Sequence, residues 1–211
     1  METLLKELFS DEKFVELIED HLRFAPELKL ENNFTTLISI FLNKKGVPSR
    51  REEKKGNRKR CDLLIKNKIV IEAKYHLDCD LIFAHWYFKN KLIKENRNIE
   101  EEKGIKNWRG VGIELLSDLT GKNDYFLWFL CVRNPLYRKE YKYQSMTNNF
   151  YKWTECNYET SDVVIQKLMP EINELFHHYR EFDFYQLPLI STEKATLWTF
   201  LYKLNDRKDA A

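Results

Sequence analysis

Apolar residues recur along this chain in helical and strand rhythms that divide it into segments. From Thr3 to Leu22 they fall at Leu4, Leu5, Leu8, Phe14, Val15, Ile18 and Leu22, a helical spacing broken near Ser10 and Asp11, which predicts a leading pair of helices. After Pro26 the positions Leu30, Phe34, Leu37, Ile38, Phe41 and Leu42 form one apolar stripe, with Gly46 just past its end, and this predicts an amphipathic helix. Three short runs follow, Val47 to Glu52, Cys61 to Ile65 and Ile69 to Tyr75, the last two separated by Lys66-Asn67-Lys68. They predict a β-meander.

The segment Leu77 to Lys94 is rich in aromatic residues and reads as helical or irregular. Helical spacing returns from Glu100 to Leu119 through Ile105, Trp108, Gly112, Leu115, Leu116 and Leu119, with acids in its first turn where the helix dipole favours them. Tyr125 to Val132 is almost continuously apolar, as expected of a strand covered on both faces. Asn134 to Glu159 mixes tyrosines, Phe150 and Trp153 with Arg138, Lys139, Lys142 and Lys152. Two helices are expected to close the chain, one over Val163 to Tyr179 and one capped by Ser191 and carrying Leu197, Phe200, Leu201 and Leu204. The expected fold is α/β: a mixed central sheet flanked by helices, built in the order helix, three-stranded meander, helix, strand, with helical N- and C-terminal additions. It forms one domain, with residues 1–25 the N-terminal helical addition, 26–133 the core and 134–211 the C-terminal aromatic and basic segment and its helices.

Composition narrows the classes. With 211 residues, 43% hydrophobic and 14% aromatic, and only six Gly and five Pro, the chain is suited to one folded core and not to disorder or a collagen repeat. No apolar run approaches the length of a membrane span, and the first residues lack the basic-then-apolar order of a signal peptide. Cys61, Cys79, Cys131 and Cys156 form no C-x-x-C pair, so buried reduced thiols and a cytoplasmic location are expected. Net charge is +2, but Lys44 to Arg60 holds nine bases against two acids while the remainder carries −5. A basic segment on an otherwise acidic chain can attract polyanions through counterion release, which makes Arg50, Arg51, Lys54, Lys55, Arg58, Lys59 and Arg60 candidates for contact with phosphate groups.

Three charged residues lie in a hairpin that packing alone would leave apolar: Asp62, Glu72 and Lys74. E-x-K tripeptides begin at Glu27, Glu52, Glu53, Glu72, Glu101 and Glu140, so the tripeptide by itself discriminates nothing. Only Glu72-Ala73-Lys74 closes a β-branched run, Ile69-Val70-Ile71. A period of two sets Glu72 and Lys74 on one face. If the loop is Lys66-Asn67-Lys68, Ile65 pairs with Ile69 and Asp62 falls opposite Glu72 on that face. Facing carboxylates repel by up to roughly 1 kcal/mol, a cost that a divalent cation removes. All-oxygen ligands with few protein groups suit magnesium, or manganese in its place. Beside them a lysine can orient water or neutralise a phosphate, so phosphodiester hydrolysis is the natural chemistry.

These residues resemble the PD-(D/E)XK nucleases, the restriction endonuclease-like fold, over about Leu28 to Arg133. The family's motif of an acid, a gap and E-x-K is met by Asp62, Glu72, Ala73 and Lys74, although Cys61 stands where the name-giving motif has proline. Many members add a glutamate on the first core helix, and Glu31, seven and eleven residues before Ile38 and Leu42, is the candidate. The resemblance implies that Asp62, Glu72 and the Ala73 carbonyl bind Mg2+, that Lys74 is catalytic and that Glu31 assists. It also implies a cytoplasmic, metal-dependent endonuclease of double-stranded DNA, acting as a homodimer in a restriction-modification system. The alternatives are a junction or repair nuclease of the same fold and a catalytically inactive nucleic-acid-binding module. His76, Asp78, Asp80 and His85 match no zinc spacing, His177 and His178 read as surface residues, and Gly110-Val111-Gly112 lacks the rest of a dinucleotide fingerprint.

Overall fold

The computed structural model describes residues 1–24, 31–54, 60–77, 80–81, 84–85, 87–89, 91, 106–134 and 161–205. Helices α1 (Glu2–Leu8) and α2 (Glu12–Phe24) form the expected leading pair, and α3 (Glu31–Lys44) follows. Strands β1 (Ser49–Lys54), β2 (Arg60–Ile65) and β3 (Ile69–Leu77) make the meander. Then come α4 (Lys106–Leu119), β4 (Tyr125–Arg133), α5 (Ser161–His177), β5 (Phe182–Gln186), β6 (Ile190–Ser191) and β7 (Ala195–Leu204). The strands form one sheet in the order β1-β2-β3-β4-β7-β5, with β6 also on β7. Among the described strands only β3 and β4 run parallel, and α4 lies in the crossover that a parallel pair requires.

Alternation along the strands builds two cores. Ile71, Ala73 and Tyr75 of β3, Leu127, Phe129 and Cys131 of β4, and Leu197 and Leu201 of β7 face α1, α2 and α3. Phe126, Trp128 and Leu130 of β4 and Trp198, Phe200 and Tyr202 of β7 face Leu115 and Leu119 of α4 and Ile165, Ile172 and Phe176 of α5. Cys61 and Cys131 are buried free thiols, as expected, whereas Cys79 and Cys156 lie outside the described residues. Among the described residues no helix is long and apolar enough to cross a membrane.

The apolar stripe of α3 ends as the sequence predicts. Gly46 takes a φ of +75°, and the Val47 and Gly46 amides donate to the carbonyls of Leu42 (2.8 Å) and Asn43 (3.0 Å), the paired bonds of a Schellman cap. The Asn43 side chain then fastens the start of β1: its Oδ1 accepts from the Ser49 amide at 3.0 Å and its Nδ2 donates to the Ser49 carbonyl at 2.8 Å. Higher on the helix, Phe34 packs edge-on against Tyr75 and Phe129, with ring centroids 5.6 and 5.2 Å apart. This packing lays the first turn of α3 over β3 and β4.

The expected helical C-terminal addition is corrected in part. Residues 163–177 are helical within α5, but the segment after Ser191 is β7, and β5 and β6 join it in the sheet. Leu197, Phe200, Leu201 and Leu204 fit a helical stripe, yet Trp198 and Tyr202 are equally buried. A strand sandwiched between two cores carries apolar residues on both faces, so helical periodicity appears within it by chance. The acids expected in the first turn of the helix before β4 are absent from α4, which is described from Lys106; Glu100 to Glu102 lie outside the described residues, as do residues 135–160 of the aromatic and basic segment.

Gly112 is a packing requirement of α4. A Cβ there would stand 2.1 Å from the Tyr87 ring. Alanine at a helical glycine ordinarily stabilises by about 1 kcal/mol, whereas overpacking costs about 1–3 kcal/mol. Gly112→Ala is expected to lower stability in urea unfolding, and Tyr87→Gly in the same chain, which removes the Tyr87 Cβ at 2.7 Å as well as the ring, to reverse the sign of the Gly112→Ala effect.

Candidate functional site

The hairpin has the register expected from its loop: Ile65 pairs with Ile69, Leu64 with Val70 and Leu63 with Ile71. Lys66 and Asn67 adopt φ values of 52° and 55°, and the Lys68 amide donates to the Ile65 carbonyl at 3.1 Å, a tight turn with both central residues left-handed. The ladder ends at Leu63 and Ile71, so the outer amides of β3 lose their strand partner. Carboxylates replace it. Ala73 donates its amide to Asp62 Oδ2 (2.8 Å), Tyr75 to Glu31 Oε2 (3.3 Å) and Leu77 to Asp80 Oδ2 (3.0 Å).

On the opposite side of the alternation, Glu72, Lys74 and His76 point toward the α4 layer. Lys74 Nζ lies 3.8 Å from Glu31 Oε1 and 3.6 Å from Asp118 Oδ2 of α4, with all three side chains at least three-quarters buried. Asp62, Glu72, Lys74 and Glu31, expected together from the sequence, are therefore brought together. Asp118 is the member that sequence reasoning missed. Its signal was an acid on a helix at the step between Leu115 and Leu119, both fully buried.

The charges are out of balance, with four carboxylates around one ammonium. Burial, and then the neighbouring Asp62 carboxylate, which also shares a hydrogen bond with it, push the Glu72 carboxyl up to about 8, against a smaller opposing pull from Lys74. Burial likewise raises Asp118 to about 6, although Lys74 draws it down. For Lys74, burial favours the neutral amine, but Asp118, Glu31, Asp62 and Glu72 together outweigh it and raise its pKa. The cluster holds a proton where facing carboxylates cannot both ionise cheaply.

A cleft of about 520 Å³ opens onto the Glu31, Lys74 and Asp118 side of this cluster, between Glu31 and Asn32 of α3, Lys74 of β3, and Ile113, Ser117 and Asp118 of α4; Asp62 and Glu72 are not part of its lining. Arg51 of β1 is bound at its rim, where its guanidinium donates to the Thr36 hydroxyl and, at 3.1 Å, to Asn32 Oδ1. Arg50 is exposed on the same strand. Lys54 pairs with Arg60 at the end of the β1–β2 hairpin, two residues from Asp62. Lys55, Arg58 and Lys59 lie outside the described residues.

The residues set aside as a zinc set are engaged separately. His76 is buried and accepts at Nδ1 from the Trp128 indole (3.0 Å), and His85 meets Glu171 at 2.7 Å. Asp80 receives the Leu77 amide, and Asp78 lies outside the described residues. His177 and His178 are exposed, as expected. Among the described residues no three Asp, Glu, His or Cys side chains are grouped to hold a metal ion by themselves. No protein family, curated protein or solved structure matches the chain.

The raised Glu72 pKa fixes the sign of a pH effect. An acid raised on folding stabilises the folded state fully below its unfolded value, and that contribution is lost as pH rises through about 8. Glu72→Gln should therefore melt higher than the parent at pH 9 in chelator, by at least about 2–4 °C, with the advantage shrinking or reversing at pH 4.5. Equal shifts at both pH values would contradict the shared-proton arrangement.

Proposed function

We propose that the protein is a metal-dependent DNA endonuclease with a restriction endonuclease-like core, acting as a sequence-specific type II restriction enzyme. The observation that carries this reading is the convergence of Asp62 from β2, Glu72 and Lys74 from β3 and Glu31 from α3 where β2 and β3 part. The order of α3, the β1–β3 meander, α4 and a β4 parallel to β3 supports it, since this is the order that the PD-(D/E)XK resemblance implies. Among the described residues there is one such site, so cutting both strands of a duplex calls for two copies, and a cytoplasmic homodimer is the form proposed.

The donor set fits magnesium, with manganese as a substitute. Asp62 and Glu72 are hard oxygen donors, and a cation in place of their shared proton offsets the repulsion that raises Glu72. In a strand the Ala73 carbonyl faces the same open edge as its amide, which is the edge occupied by Asp62. Two carboxylates and a carbonyl leave room for the waters that magnesium retains. When bound, the ion supplies Lewis acidity at the scissile phosphate.

The chain's own residues do the rest. The Lys74 ammonium, kept protonated by its carboxylate neighbours, stands where it can orient the attacking water and neutralise phosphate charge. Glu31 fixes the Tyr75 amide with one oxygen and faces Lys74 with the other. The basic end of the β1–β2 hairpin supplies phosphate contacts that set the register of the duplex.

A plasmid assay in magnesium or manganese tests the assignment. Asp62→Ala and Glu72→Ala should abolish cleavage yet leave a folded protein that binds DNA in calcium, and Lys74→Ala should lose most turnover while keeping its metal affinity. Near-native cutting by either acid variant sinks the reading. For the DNA path, Arg50, Arg58 and Arg60 are replaced by glutamine while Arg51, tied to α3, is retained. Removing each phosphate-binding arginine should flatten the slope of log affinity against log salt by about 0.9, and an unchanged slope would move the DNA path elsewhere.

A further inference from the structure

Asp118 is a carboxylate at a position where α4 faces the sheet. Leu115 and Leu119 beside it are fully buried, and Asp118 Oδ2 is itself buried and accepts no hydrogen bond. A buried carboxylate oxygen whose facing donor, the Lys74 ammonium, stands 3.6 Å away, beyond a good hydrogen bond, costs folding energy and calls for an explanation. The repulsion is aggravated here, because Asp62, Glu72 and Glu31 already surround the single ammonium of Lys74. An apolar or amide side chain at 118 would serve packing better.

We propose that Asp118 is a positioning residue for Lys74, holding the ammonium from α4 in opposition to Glu31 on α3; the reaction in which this matters rests on the nuclease reading above. Lysine is a point charge on a flexible four-carbon stem, and Glu31 alone does not fix it. Glu31 is long, its Oε2 is committed to the Tyr75 amide, and its Oε1 stands 3.8 Å from Nζ. Asp118 is shorter and closer, at 3.6 Å. It is also mounted on a pinned element, since Tyr87 fills the space over Gly112 and Arg180 Nη1 donates to the carbonyls of Leu119 (3.2 Å) and Gly121 (2.6 Å) just beyond it. The charged groups facing Lys74 are thus Asp118 from α4, Glu31 from α3, Asp62 from β2 and Glu72 on its own strand, and Asp118 holds it from the α4 side of the cleft.

The test compares the parent with Asp118→Asn and Asp118→Leu. NMR relaxation of the lysine ammonium nitrogens should find Lys74 Nζ ordered in the parent and as mobile as the exposed Lys13 in both variants, while the melting temperature stays level or rises. In magnesium-supported plasmid cleavage, kcat should fall at least tenfold with KM within twofold. An equally ordered Lys74, an unchanged kcat, or a lower melting temperature in both variants overturns the proposal, the last by showing that Asp118 is structural. If the parent does not cleave DNA, the nuclease reading fails, and the ammonium measurement alone decides whether Asp118 positions Lys74.

Discussion

The site depends on the edge of β3 that β2 abandons. Backbone amides in a folded interior need acceptors, and after Ile71 the three outer amides of this strand receive theirs from Asp62, Glu31 and Asp80. Ending the ladder early therefore does two things at once. It makes room beside β3, and it requires acid side chains from β2, α3 and the helical residues after β3 to be delivered there. The acids are part of the backbone's hydrogen bonding, which is why a charge-rich cluster can sit in the middle of a sheet with an apolar layer on either side.

The same arrangement explains the uneven electrostatics. Glu31 and Asp62 take partners in the main chain, whereas burial leads the rise of the Glu72 carboxyl to about 8, helped by Asp62, and that of Asp118 to about 6, against the pull of Lys74. Lys74 sits at the junction of the two groups and stays charged because four acids surround it. Positive charge is kept apart on the β1–β2 hairpin, where Arg50 is exposed and Arg51 ties the strand to α3 at the cleft rim. Arg51 thus stands at the rim of a cleft lined by the acids Glu31 and Asp118.

Much of this was legible in the residues. Lys66-Asn67-Lys68 set the hairpin register because a short loop leaves few alternatives, and the register in turn set Asp62 near Glu72. Gly46 marked the end of α3, and the continuous apolar run marked β4. What was not legible depended on the third dimension. Ser191 to Leu204 reads as a capped helix until its two-sided burial is known. Asp118 lies 44 residues beyond Lys74 in sequence, on the far side of a crossover, so neither spacing nor motif connects them. That Asp62 and Glu31 would cap amides could not be inferred without knowing where the ladder stops.

The placement of β7 has a consequence for how the molecule is made. β4 lies between β3 and β7, and β7 begins about sixty residues after β4 ends. At synthesis rates of about 5–20 residues per second, β4 emerges from the ribosome roughly 3–12 s before its second neighbour exists. During that interval Phe126-Leu127-Trp128-Phe129-Leu130 has one bare edge and an aromatic face awaiting Phe200 and Tyr202, the composition of an aggregation-prone strand. The nascent chain is thus most exposed to misassembly, and most in need of a chaperone, between completing its candidate acidic cluster and completing its sheet.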